Sequence, residues 1–114
     1  MTNKKSKEIN HSLDVVGIGN AIVDVIIKTE DSYLNKLNLN KGSMTLIDEK
    51  KAEELYKSFE GGIQSSGGSV ANTLACISQL EGKAGFIGRV SNDKLGKIFT
   101  DEISKSGTIF QTPP

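Results

Sequence analysis

A chain of 114 residues, 36% apolar and 25% charged, has room for one small domain with a modest core. Its 14 basic and 14 acidic residues cancel, so nothing in its charge points to a nucleic acid or an acidic surface, and no apolar run is long enough to span a bilayer. A single cysteine, Cys76, excludes an internal disulfide, and the lysine-bearing N-terminus lacks the apolar stretch of a secretory signal, so a cytoplasmic protein is the expectation.

Residues 1–12 are polar and read as a flexible tail, and the lone histidine, His11, is an inert member of it. The structured region is expected over 13–114. Leu13 to Val16 and Ala21 to Ile27 are rich in β-branched residues and predict two strand segments joined by a bend at Gly17-Ile18-Gly19-Asn20. Asp31 to Leu37 fits a short helix, and Gly42 to Ile47 reads as a strand. Asp48 is a suitable N-cap for a helix with Ala52, Leu55, Tyr56 and Phe59 on one stripe, ended by Gly61-Gly62.

Ile63 to Ser66 is a short connector or strand. Ser69 can cap a second helix, with Val70, Leu74, Ile77 and Leu80 on one face and Gly82 at its end; Cys76 reads as a small core residue there. Ala84 to Gly88 predicts a buried strand. Asn92 or Asp93 caps a third helix with Leu95, Ile98, Phe99 and Ile103 inward, Gly107 ends it, and Thr108 to Phe110 starts another strand. This strand–helix alternation predicts a layered α/β fold around a parallel sheet. The final strand stops where another crossover belongs, so continuation beyond Pro114 is expected.

Two glycine motifs fail on inspection. Gly17-x-Gly19 lacks the third glycine of a dinucleotide fingerprint, because Ile22 stands there and a strand pattern follows; a strand bend is the alternative. The stretch from Gly62 to Ser69 has P-loop spacing, but Gly68 replaces the lysine that grips the phosphates. What remains is Gly67-Gly68-Ser69 opening a helix. Its glycines let a ligand approach the backbone, its helix start offers N–H groups, and the Asn72 amide one turn on suits sugar hydroxyls; a plain capping loop fits the same residues. Asp24 interrupts an apolar strand. Its two oxygens suit the vicinal hydroxyls of a sugar, with Asn20 in reach, or it is an edge residue facing water. Arg89 reads as an anion contact or a solvated side chain, and Asp93 mainly as a first-turn acid.

Taken in order, Asn20 to Asp24, Gly67-Gly68-Ser69-Val70-Ala71-Asn72, Gly82, and Phe86-Ile87-Gly88-Arg89-Val90 with Asp93 and Gly96 resemble the N-terminal third of the PfkB, or ribokinase-like, family of carbohydrate and nucleoside kinases, closest to its adenosine-kinase-like branch. The resemblance covers Asp14 to Thr112. It implies a ribokinase-like layered fold with a parallel central sheet and a small β lid at about residues 28–47, with Met44 and Leu46 lining the pocket. It also implies substrate binding by Asn20, Asp24, Gly67, Gly68 and Asn72. Glu81 and Val70 depart from the family's usual glycine and small residue. The family's Gly-Ala-Gly-Asp segment, which supplies the general base and anion hole, does not occur in this chain, so no catalytic residue is assigned.

The implied function is the N-terminal substrate-binding part of an ATP-dependent kinase acting on a sugar or nucleoside hydroxyl, adenosine-like favoured. The chain alone is expected to be inactive, with ATP and Mg2+ used by the full-length protein and no cofactor or metal held by this stretch. The expected partner is a small-molecule sugar or nucleoside, not a nucleic acid or a membrane, and no oligomeric state is selected. The alternative is a non-enzymatic ligand-binding or interaction module that keeps the substrate half alone.

Overall fold

The structure is a computed structural model that describes residues 13–59 and 61–114 of the chain. The expected tail and His11 lie outside the described residues. Nine elements follow one another: β1 (Val15–Ile18), β2 (Ile22–Ile26), α1 (Asp31–Lys36), α2 (Glu49–Ser58), β3 (Ile63–Gly67), α3 (Ser69–Gln79), β4 (Ala84–Ile87), α4 (Lys94–Lys105) and β5 (Ile109–Phe110). β1, β4 and β5 form a parallel sheet in that order, and β2 and β3 form a second, two-stranded sheet. The chain divides into two compact units, one ending at Val23 and resuming over 65–114, the other spanning 24–64.

The first unit is built on the parallel sheet. Gly17 of β1 lies opposite Phe86 of β4, which lies opposite Phe110 of β5. Strand side chains alternate between faces, so this row points one way and its neighbours the other. On the row's side, Ala71 and Leu74 of α3, Ala84 and Phe86 of β4, and Phe99 and Ile103 of α4 form the buried core. Phe86, Phe99 and Phe110 meet as three rings with centroids 5.4–5.7 Å apart, within the range of tilted and edge-to-face aromatic packing. The inner positions are apolar because α3 and α4 each present one stripe to the sheet.

Among the described residues, the opposite face of that sheet is largely uncovered, with the Leu13 side chain lying over Gly85. Val16, Ile18, Ile87 and Ile109 are 51%, 75%, 45% and 44% exposed. Parallel sheets ordinarily carry cover on both faces, so this apolar surface is unusual for a parallel sheet.

Capping fixes the helix limits. Asp93 accepts the Gly96 N–H at 2.8 Å at the start of α4, and Asp48 accepts the Lys51 N–H at 2.8 Å at the start of α2, as the sequence predicts. At α3 the cap is Gly68, with φ +101°, and Ser69 is already helical with no side-chain cap bond. The predicted Ser69 cap is therefore corrected: the glycine bend reaches one residue further than its hydroxyl suggested.

α3 ends in a 6→1, 5→2 pair of bonds. Gly82 N–H donates to Ile77 at 2.9 Å and Glu81 N–H to Ser78 at 3.1 Å. Glu81, not a glycine, takes the left-handed position at φ +70°. Cys76 of α3 and its C-cap Leu80, both expected inside, are exposed.

The second unit holds α1 and α2 with parts of β2 and β3. Leu55 is its buried residue, Tyr56 and Phe59 are half-buried, and Ala52 is exposed, so the expected stripe is narrower than its spacing. α2 stops at Ser58, ahead of Gly61-Gly62. The predicted strand at Gly42 to Ile47 is absent, and the stretch 28–47 contains α1 but no strand; the β structure of this unit comes from β2 and β3. A strand needs a partner for its backbone groups, and Met44 and Leu46 instead stand 86% and 88% exposed. No helix among the described residues is long and apolar enough to cross a membrane.

Candidate functional site

In an open parallel sheet the strand C-termini, where the loops leave, are the usual place for a ligand. Here a cleft of about 530 Å³ opens at that edge, lined by Ile18, Gly19, Asn20 and Ala21 after β1, Ile87, Gly88 and Arg89 after β4, and Thr112 after β5. A second cleft of about 290 Å³ shares Ala21 and Arg89 with it and runs beside Ser91, Asp93 and Phe99.

Glycines make this edge possible. A β-carbon on Gly19 would stand 2.8 Å from the Val70 β-carbon, and one on Gly88 would stand 2.6 Å from the Phe86 ring and 2.9 Å from the Gly19 carbonyl oxygen. Gly17 and Gly19 thus let α3 lie against β1. Close packing accounts for the Gly17-x-Gly19 element. A β-carbon on Gly68 would meet the Asn20 carbonyl oxygen at 2.7 Å, so the loop before α3 and the loop after β1 touch backbone to backbone.

Four of the five predicted binding residues lie in the first unit. Asn20 is exposed on the cleft, and Gly67 is buried at the end of β3. Gly68 caps α3, and Asn72 sits exposed in its first turn, its N–H donating to the Gly68 carbonyl at 2.9 Å. The opening N–H groups of α3 have no intrahelical acceptor, and no side chain caps them. The structure brings Gly68 and Asn20 together and places Asn72 one turn along.

Asp24 opens the second unit, on the same side of β2 as Ile22 and Ile26, and is exposed. Burial therefore does not oblige it to find a partner. Among the described residues none hydrogen-bonds to the side chain of Asn20, Asp24 or Asn72. None of the groups of His, Cys, Asp and Glu among the described residues numbers three with the spacing to hold a metal.

Arg89, read in the sequence as an anion contact or a solvated side chain, lines the cleft, as does Thr112, which was not singled out. Each follows a strand of the parallel sheet, and that topological position was the available signal.

No protein-family model matches the chain. Among solved structures, the chain is similar to the adenosine kinase of Sinorhizobium meliloti, with 45% identity and a TM-score of 0.72 over 90% of this chain and 32% of that one. It is similar to a probable sugar kinase from Rhizobium etli CFN 42 at 43% identity and a TM-score of 0.73, over 90% of this chain and 31% of the other. The adenosine kinase of Schistosoma mansoni, solved with adenosine and AMP, shares the fold at 24% identity and a TM-score of 0.67. The chain spans about a third of the length of the kinases it matches. Its fold is that of a minor part of ribokinase-like kinases, and the resemblance read in its motifs is borne out.

Proposed function

We propose that this chain is the N-terminal, substrate-binding part of an ATP-dependent kinase that phosphorylates a hydroxyl of a sugar or nucleoside, with an adenosine-like acceptor favoured. The observation that carries this reading is the backbone contact of Gly68 with Asn20 at the C-terminal edge of the parallel sheet. It brings the glycine before α3 against the backbone of Asn20, which itself lines the cleft, in a chain 45% identical over this stretch to an adenosine kinase.

Each group has work suited to a polyol. In the first unit, Asn20 and Asn72 donate and accept through their amides and the opening N–H groups of α3 meet ligand oxygens. Asp24, in the second unit, carries two carboxylate oxygens suited to vicinal hydroxyls. Holding the acceptor still is a large share of what phosphoryl transfer needs. ATP and Mg2+ belong to the complete kinase and would supply the phosphoryl group and its charge neutralisation. No catalytic step is assigned to this chain, because the Gly-Ala-Gly-Asp segment that the resemblance makes responsible for it does not occur in the sequence.

The test is to express the complete reading frame and assay ATP-dependent phosphorylation of adenosine, ribose and a hexose. Phosphorylation of one of them, with Asp24→Asn raising KM or abolishing turnover, is the expected result. A protein that binds adenosine but never phosphorylates any of the three would overturn the kinase reading in favour of a binding module. Turnover by the 114-residue chain alone would overturn the assignment of catalysis to other segments.

A further inference from the structure

We infer that Arg89 is the anion-recognising residue of this site, and that the anion it recognises is the phosphoryl group carried by the phosphorylated product. The inference rests on the kinase reading above.

Arg89 is exposed and lines both clefts at the sheet edge, and it is the single cation among the residues lining either. The one carboxylate lining them is Asp93, which accepts the Gly96 N–H at 2.8 Å as the cap of α4. Among the described residues no ion pair joins Arg89 to a carboxylate. Its departure from the sheet is fixed. Gly88, one residue before it, is wedged between the Phe86 ring and the Gly19 carbonyl with no room for a β-carbon.

An unpaired guanidinium on a rigid stem, facing a cleft that also holds Asn20, suits a planar, bidentate oxyanion. The neutral acceptor does not need it, because hydroxyls are served by amides and a carboxylate. Charge enters the reaction with the phosphoryl group, and stabilising that charge is where a cation acts. Arg89 therefore separates phosphorylated from unphosphorylated ligand.

The experiment titrates the 15N-labelled chain with adenosine and with adenosine 5′-monophosphate at matched ionic strength, following amide shifts at Asn20, Gly88 and Val90. The monophosphate is expected to bind several-fold more tightly. Arg89→Gln should weaken the monophosphate about tenfold, the scale of one lost charge-assisted hydrogen bond, and leave adenosine unchanged. Arg89→Lys should restore part of the difference. Adenosine bound normally, with a monophosphate preference that is absent or survives Arg89→Gln, overturns this inference and leaves the kinase reading standing. Binding of neither ligand by the folded chain overturns both. Product inhibition of the enzyme from the complete reading frame gives an independent measure: Arg89→Gln should raise the inhibition constant of the monophosphate about tenfold, and an unchanged constant refutes the role.

Discussion

The carbonyl oxygen of Asn20 lies 2.7 Å from the point where a β-carbon on Gly68 would stand. The glycine is required twice over, by this backbone approach and by its φ of +101°, which L side chains rarely adopt. Gly68→Ala is expected to cost about 2 kcal/mol through strain alone and to push the Asn20 loop away from the start of α3. Thermal melting reads the first effect. Amide shifts at Asn20 and Asn72 on adding adenosine read the second. An alanine variant that melts like the parent and keeps its shifts would show that the loop is ordinary.

The end of α3 offers the opposite experiment. Glu81 sits at φ +70° in a Schellman-type terminus, is exposed, and makes no side-chain bond among the described residues. Its side chain contributes nothing visible to offset the left-handed backbone. Glu81→Gly is expected to stabilise the chain by roughly 1 kcal/mol, measured as a higher denaturation midpoint. Gly82→Ala should do the reverse, because its β-carbon would stand 2.6 Å from the Ile77 side chain and 3.0 Å from the Ile77 carbonyl.

The uncovered sheet face predicts how the chain behaves in solution. Ile18 lies opposite Ile87, and Gly85, between Val16 and Ile109, has no side chain to shield them. The chain should bind an apolar dye and self-associate. Replacing Ile18 and Ile109 by threonine keeps β-branching while adding a hydroxyl. Dye fluorescence and sedimentation size should fall, with folding stability within about 0.5 kcal/mol of the parent, as for surface substitutions generally. A monomeric parent that ignores the dye would count against this face being apolar in practice.

Local signals read truest in the sequence. Asp48 and Asp93 cap their helices as their spacing predicts, because a cap involves a few neighbouring residues. The inward Phe99 and Ile103 follow from helical period. The strand expected at Gly42 to Ile47 fails for the opposite reason: pairing depends on a distant partner, which no local pattern encodes. Cys76 and Leu80 are misplaced because small or apolar residues inside a helix need not lie on its buried stripe. Near the candidate site, Gly68 was legible as a glycine bend opening a helix that carries Asn72, whereas Gly67 closes β3 instead of lying in the loop. The burial that would have demanded a partner for Asp24 was not legible, since exposure belongs to the folded strand. Thr112 escaped because its place on the cleft comes from the strand end it follows.

The contact of Val70 with Gly17 and Gly19 gives the sharpest test of how α3 is held on the sheet. A β-carbon on Gly17 would come 2.6 Å from Val70 Cγ1 and 2.9 Å from Leu74 Cδ1. Gly17→Ala should therefore overpack the interface, at a cost of about 1–3 kcal/mol. Val70→Ala alone leaves a void beside Gly17 and should cost about 1 kcal/mol, the scale of a partly buried aliphatic side chain. In the double variant the new methyl occupies the space that Val70 vacates, leaving the approach to Leu74 as the remaining clash. Its loss should be smaller than the sum of the two single losses by about 1 kcal/mol or more. Denaturant unfolding of the four proteins measures that coupling. Additive losses would mean that α3 shifts freely on β1, and the glycines would then have no packing role to explain them.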